Sequence, residues 1–418
     1  MRPTGRLHLG HYFGALANWL KLQQEYECFF FVADWHALTT HYEDTSSVAE
    51  NTLQIAMDWL SVGLDPEKST IFIQSSILEH AELHLLLSMI TPLSWLERVP
   101  TYKEQIENLK DRDLGTYGFL GYPLLQSADI VMYGDPKHEL LVPVGEDQVP
   151  HIELTREVVR VFNFTFGFSI HDELLRDLEA QRRIRNKLPG TFVEPDPGVL
   201  GSPAHRLASG EAVEEFLPGE LRAAARRAVR EWGFENFLAK MGPDAGFFNL
   251  KLLLREPSHL LTETPRLPGT DGRRMAKSYG NAIWLSDAPE QIRTKVRNMM
   301  TDPQRQRRTD PGRPEVCPVF AWHKLFSPAE TIAWADQGCR TAGIGCVDCK
   351  KAMAENLVQW IEPIQGRRKE LEANPQQVWQ KLEAGNKKAH AAARRTMKRV
   401  RNAIFQGDEA RQGSAAGK

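Results

Sequence analysis

Cysteine is scarce in this chain: five in 418 residues cannot supply the disulfide framework of a small secreted domain. No apolar run reaches membrane length, and the N-terminus lacks the basic and apolar regions of a signal peptide. These absences point to a reducing cytoplasm and exclude a membrane partner. Neither sign of charge is in excess, since 52 Lys and Arg face 54 Asp and Glu for a net charge of −2. A nucleic-acid partner therefore has to be held by local basic patches. Apolar residues, by contrast, are plentiful at 42%, enough to fill the cores of two or three domains.

The chain is organised around Pro3 to Leu16, PTGRLHLGHYFGAL. Gly5 and Gly10 remove side chains where a backbone must approach something closely, ahead of a helix expected from about Tyr12 to Gln24. A helix start offers unpaired N–H groups, and His8 and His11, three apart, can donate to phosphate oxygens above it without titrating. The same pair equally fits a surface doublet or half of a metal site. Far along the chain, Thr270 to Asn281 (TDGRRMAKSYGN) is a loop leading into an amphipathic stretch, Ile283 to Val296. There Lys277 offers a mobile point charge and Arg274 a forked one.

Between these stretches the pattern alternates. Cys28 to Ala33 (CFFFVA) reads as a strand buried on both faces, delivering Asp34 and His36 to its carboxyl end. A helix over Val48 to Leu64 and a strand over Thr70 to Gln74 follow, which argues an α/β doubly wound parallel sheet. A phosphate turn of this type normally follows a buried strand, yet here it starts at Met1. The expectation is that Met1 is an internal methionine of a longer product or a start assigned too late.

In Gly121 to Tyr133, Leu124, Leu125, Ala128 and Val131 form one apolar face, so Asp129 lies beside buried surface. A carboxylate there is costly unless something donates to it. An indole N–H is a suitable donor; a helix cap or salt bridge is the other fate. Leu140 to Gln148 (LLVPVGEDQ) is a strand entering a glycine turn whose polar residues can accept from ribose hydroxyls and an ammonium group.

Taken together, HLGH and RMAKS resemble the two signatures of class I aminoacyl-tRNA synthetases, HIGH and KMSKS. ADWHALTT, GEDQ and HIELTR are similar to segments of the tryptophanyl-tRNA synthetases. The resemblance implies a Rossmann-like α/β fold with a C-terminal α-helical domain, and a ligase joining L-tryptophan to tRNA(Trp) with ATP and Mg2+. By resemblance the catalytic residues are His8, His11, Arg274, Lys277 and Ser278. ATP contacts are Arg2, Thr4, Gly10, His11, Gly145, Asp147, Met275 and Lys277; tryptophan contacts are His36, Tyr122, Gln126, Asp129 and Gln148. Arg274 and Ala276 depart from KMSKS, the first keeping the charge and the second losing a hydroxyl. A homodimer is implied too. A tyrosine-specific relative and a catalytically impaired RNA-binding or regulatory paralogue remain as alternatives.

The domains expected are 1–167 for the first part of the catalytic unit, 168–255 for an inserted small domain, 256–282 for its end, 283–405 for a helical anticodon-binding domain, and a disordered tail over 406–418. The insertion's basic helix, LRAAARRAVR, is given no function. In the helical domain Lys387, Lys388, Arg394, Arg395, Lys398 and Arg401 make a basic face suited to a phosphate backbone. Cys317, Cys339, Cys346 and Cys349 stand as C-x21-C-x6-C-x2-C, a donor set that zinc or a [4Fe-4S] cluster accepts. The resemblance favours the cluster.

Overall fold

The computed structural model describes residues 1–100, 115–188, 217–261 and 267–405. The tail expected to be disordered, and Pro195 to Pro203, lie outside them.

Two parallel strand pairs form the α/β unit. Strand β1 (Cys28–Val32) pairs with β2 (Ser69–Ile73), Cys28 opposite Ser69. Strand β3 (Leu140–Val144) pairs with β6 (Pro257–Leu261), Leu140 opposite Pro257. Among the described residues the parallel pairing falls into these two pairs. Phe29 to Phe31 of β1 and Leu140 to Pro143 of β3 line the same cavity of about 830 Å³, so the two edges border one space. Met1 supplies a fragment of pairing along β1: its amino group donates to the Phe31 carbonyl at 2.7 Å, and Ala33 N–H donates to the Met1 carbonyl at 2.8 Å.

The other edge of β2 is covered by the long helix Pro375–Phe405. Asn386 accepts from the Ile73 N–H at 2.9 Å, and at Gly385 an added Cβ would lie 1.8 Å from the Ile71 carbonyl oxygen. Only glycine lets the helix lie so close, and the contact occupies an otherwise open strand edge.

The helical region has no separate core. Leu7, Leu9, Ile55 and Trp59 from the first half pack in one cluster with Ile292, Val296, Leu357 and Ile361. Ile292 and Val296 lie on the helix Pro289–Arg297 and Met299 just past its end, and all three are essentially buried. The inserted region does have its own core. Antiparallel β4 (Phe168–Ile170) and β5 (Phe248–Leu250) enclose Leu174, Ile184, Leu221, Ala225 and Phe237. Alanine on the inner side of helix Leu217–Trp232 leaves its arginines exposed.

Candidate active site

Two stretches about 270 residues apart meet at the first turn. The helix begins at Leu9 rather than Tyr12, with His8 at its cap, and passes through a π-helical stretch, Tyr12–Leu16, before Ala17–Leu22. The His8 N–H donates to Nδ1 of His11 at 3.2 Å, and the two rings lie 3.8 Å apart. Gly10 is required here, because a Cβ would come within 2.9 Å of the His8 ring. Burial lowers His8 to about 3, helped by His11, and lowers His11 to about 4. Both are therefore neutral donors at physiological pH.

Against this turn lies the late loop. Lys277 Nζ donates to the Thr4 carbonyl at 2.9 Å, and Met275 packs beside Gly10. Backbone bonds lock the meeting: Leu9 N–H to Ile283 O and Leu285 N–H to Leu7 O, both 3.0 Å. Within the loop Asn281 is the keystone. It accepts from the Ala276 N–H at 2.9 Å and donates to Asp271 at 2.7 Å and to the Arg274 carbonyl at 3.1 Å. Arg2, Arg274 and Ser278 are exposed. Thus His8, Gly10, His11, Thr4, Met275 and Lys277 come together, whereas the Arg274 and Ser278 side chains stand out from the cluster.

The cavity adjoins this turn through Met1 and Arg2, and His36, Tyr122, Gln126, Asp129 and Gln148 all line it. Asp129 sits on the helix Tyr117–Met132, capped by Thr116. Its carboxylate is saturated. Oδ1 takes His80 Nδ1 at 2.6 Å and Gln74 Nε2 at 2.8 Å; Oδ2 takes His36 Nε2 at 2.7 Å and Gln74 Nε2 at 2.9 Å. Burial alone would raise this acid, but the bonds from His36 and His80 outweigh it and hold Asp129 well below the usual carboxylate range. An ionised carboxylate only accepts, so each histidine nitrogen facing it carries a proton. The far nitrogen of His80 meets the Tyr133 hydroxyl at 2.6 Å, and burial raises that phenol, keeping it a donor. Gln74, His80 and Tyr133 escaped the sequence reading; an acid on an apolar helix face was the only signal that such partners exist.

Gly145 and Asp147 follow β3. Gln148 Nε2 donates to Asp147 at 3.0 Å, and an added Cβ at Gly145 would lie 2.8 Å from the Asp147 carboxylate. Asp147 is exposed and is not among the residues lining the cavity that holds Gln148.

The four-cysteine expectation of a metal site gains no support from the arrangement. Cys317, Cys339, Cys346 and Cys349 share one region, near enough that Cys349 is affected by the other three. Yet no group of three or more His, Cys, Asp or Glu among the described residues could hold a metal ion. Two of the sulfurs have separate neighbours: Cys339 Sγ faces Arg305 Nη1 at 3.7 Å and Cys349 Sγ faces His323 Nε2 at 3.4 Å. Burial raises the Cys317 and Cys339 thiols and pushes Cys349 up to about 12.

Comparison with known proteins gives consistent results. The family model described as tRNA synthetases class I (W and Y) matches residues 1–185 and 239–362. The chain is 46% identical to the tryptophan–tRNA ligase of Ralstonia nicotianae, covering 97% of this chain and 96% of the relative. It is 42% identical to that of Thermotoga maritima, covering 97% of each. A solved tryptophanyl-tRNA synthetase of Campylobacter jejuni, complexed with ADP and tryptophan, superposes with a TM-score of 0.69 at 24% identity, over 97% of this chain and 98% of that one. No helix among the described residues is long and apolar enough to cross a membrane.

Proposed function

From the premise that this chain belongs to the class I tRNA synthetases, among their tryptophan–tRNA ligases, we propose how its residues share the work. The enzyme activates L-tryptophan with ATP and passes the aminoacyl group to tRNA. The carboxylate of tryptophan attacks the α-phosphate of ATP, pyrophosphate leaves, and a terminal ribose hydroxyl of the tRNA then takes the acyl group from the adenylate. No covalent link to the protein is needed. Catalysis is then positioning and stabilisation of phosphate charge.

In this reading neutral His8 and His11 donate to phosphate oxygens, and Gly10 keeps the backbone open to them. Lys277 leaves the Thr4 carbonyl for the phosphates, with Arg274 and Ser278 brought in as the exposed loop closes. Arg2, Thr4 and Met275 border the nucleotide, and Gly145 and Asp147 take its ribose. Mg2+ arrives with the phosphates, as a cation that keeps most of its own water. Asp129 accepts the indole N–H, Tyr122 and Gln126 wall the pocket beside His36, and Gln148 takes the ammonium group.

The observation that carries the proposal is the contact of Lys277 with Thr4, two residues from Arg2, which lines the cavity that also holds Asp129. Amino-acid-dependent ATP–pyrophosphate exchange tests it: tryptophan should support exchange, and tyrosine and phenylalanine should not. Equal exchange with tyrosine would defeat the pocket assignment.

Further assignments have narrower support. Arg394, Arg395 and Lys398 are exposed and favour tRNA contact, whereas Lys387 and Arg401 are spent on Glu383 and Glu82. Leu78, Leu85, Met89 and Leu93, each more than half exposed, favour a homodimer through that side. The cytoplasm suits five cysteines that are all free. For a [4Fe-4S] or zinc centre the support is the cysteine spacing and shared neighbourhood alone, and no step is derived through it. Iron and sulfide assay of anaerobically purified protein decides this: stoichiometric iron requires Cys339 and Cys349 to leave Arg305 and His323.

A further inference from the structure

We infer that His36 is a placeholder on Asp129: it holds the carboxylate oxygen that the indole N–H takes, so tryptophan binding exchanges one donor for another. This rests on the reading of Asp129 as the indole acceptor.

The argument is one of valence. A carboxylate offers about four acceptor positions, and three protein donors, with Gln74 Nε2 bridging both oxygens, occupy Asp129 before any substrate arrives. An indole N–H can therefore be received only if one donor leaves. Gln74 is fully buried and touches both oxygens. His80 is fully buried as well, with both ring nitrogens engaged, by Asp129 and by Tyr133, and with Phe31 and Phe72 against its ring. His36 differs on each count. It lines the cavity, its side chain keeps 11% exposure, and among the described residues only its Nε2, of the two ring nitrogens, has a partner. It is the donor with somewhere to go and the least to lose.

Two consequences follow. The substrate-free pocket never exposes a bare buried carboxylate, which would be costly. A side chain without a matching N–H, such as that of phenylalanine, leaves His36 in place, so the indole's position stays blocked. Rejection then comes from a retained histidine rather than from an orphaned acid.

The test uses the full-length chain with two ligands, tryptophan and its benzothiophene isostere, in which sulfur replaces the N–H. In His36→Leu nothing competes for the oxygen. Tryptophan affinity should rise on the order of tenfold, about the worth of one hydrogen bond to a charged group, and the isostere, no longer blocked by a retained histidine, should gain at least as much, so that the preference for tryptophan does not widen. His36→Asn, which restores a donor, should return both values toward the parent. In the parent protein, the 15N signal of His36 Nε2 should move on saturation with tryptophan, a readout that needs no variant to fold. Weaker binding of both ligands in His36→Leu, or an unmoved Nε2 signal, would overturn the inference. Unchanged tryptophan affinity in Asp129→Asn would instead sink the acceptor assignment beneath it.

Discussion

Arg368, late in the helix Cys346–Ala373, is paired with Asp58, and the second oxygen of that carboxylate accepts the Leu7 N–H at 2.8 Å. Both side chains are almost fully buried. One turn earlier, Gln365 donates to the carbonyls of Leu285 at 3.1 Å and Asp287 at 2.7 Å. A single stretch of one helix thus grips both the backbone just before His8 and the backbone just after the Lys277 loop.

Removing Arg368 therefore strands a buried charge. Arg368→Ala should lose about 3–5 kcal/mol of stability in urea unfolding. Where the variant remains folded, the exchange rate should fall while tryptophan affinity holds, because the disturbed bond belongs to the phosphate turn. A parallel loss of both would mean general loosening.

His11→Ala and Lys277→Ala should each slow ATP–pyrophosphate exchange by ~10² to 10³, the usual cost of one transition-state donor. Tryptophan binding, measured by calorimetry, should stay near its parent value. A change confined to ATP affinity would reduce these groups to ground-state anchors.

Acidification should destabilise the protein between about pH 6.5 and 4. Burial takes His8 down to about 3 and His11 to about 4, and lowers His84, His151 and His323 as well. The unfolded chain therefore binds more protons than the folded one across that window, and the stability present above it is lost as pH falls. Asp58 acts in the opposite sense, since burial raises it to about 6 despite Arg368, but it is one group against five. Melting temperatures from pH 8 to 5 check the sign; a melting point that rises on acidification would refute it.

Leu85→Glu combined with Met89→Glu should convert a dimer to monomers in sedimentation velocity, because both apolar side chains, four residues apart, are more than half exposed. An unaltered sedimentation coefficient would move the interface elsewhere.

Much of the active site was legible because its signals are local. HLGH and RMAKS carry their glycines, histidines and lysine within a few residues, and the apolar run Cys28 to Val32 could be little else but a buried strand. Asp129 was marked by its own helix face. The amphipathic spacing at Ile292, Val296 and Met299 likewise gave the packing side directly.

The tertiary structure alone decided who meets whom. Gln74 and His80 lie 55 and 49 residues from Asp129, and no periodicity joins a strand end and a neighbouring helix to one carboxylate. The same holds for Arg368 and Asp58, 310 residues apart. Cysteine spacing likewise does not fix where the sulfurs point; the fold sets Cys339 beside Arg305 and Cys349 beside His323. Sequence pattern fixes which face of an element is apolar; the partners of a buried polar group depend on how elements pack, and that is a property of the whole chain.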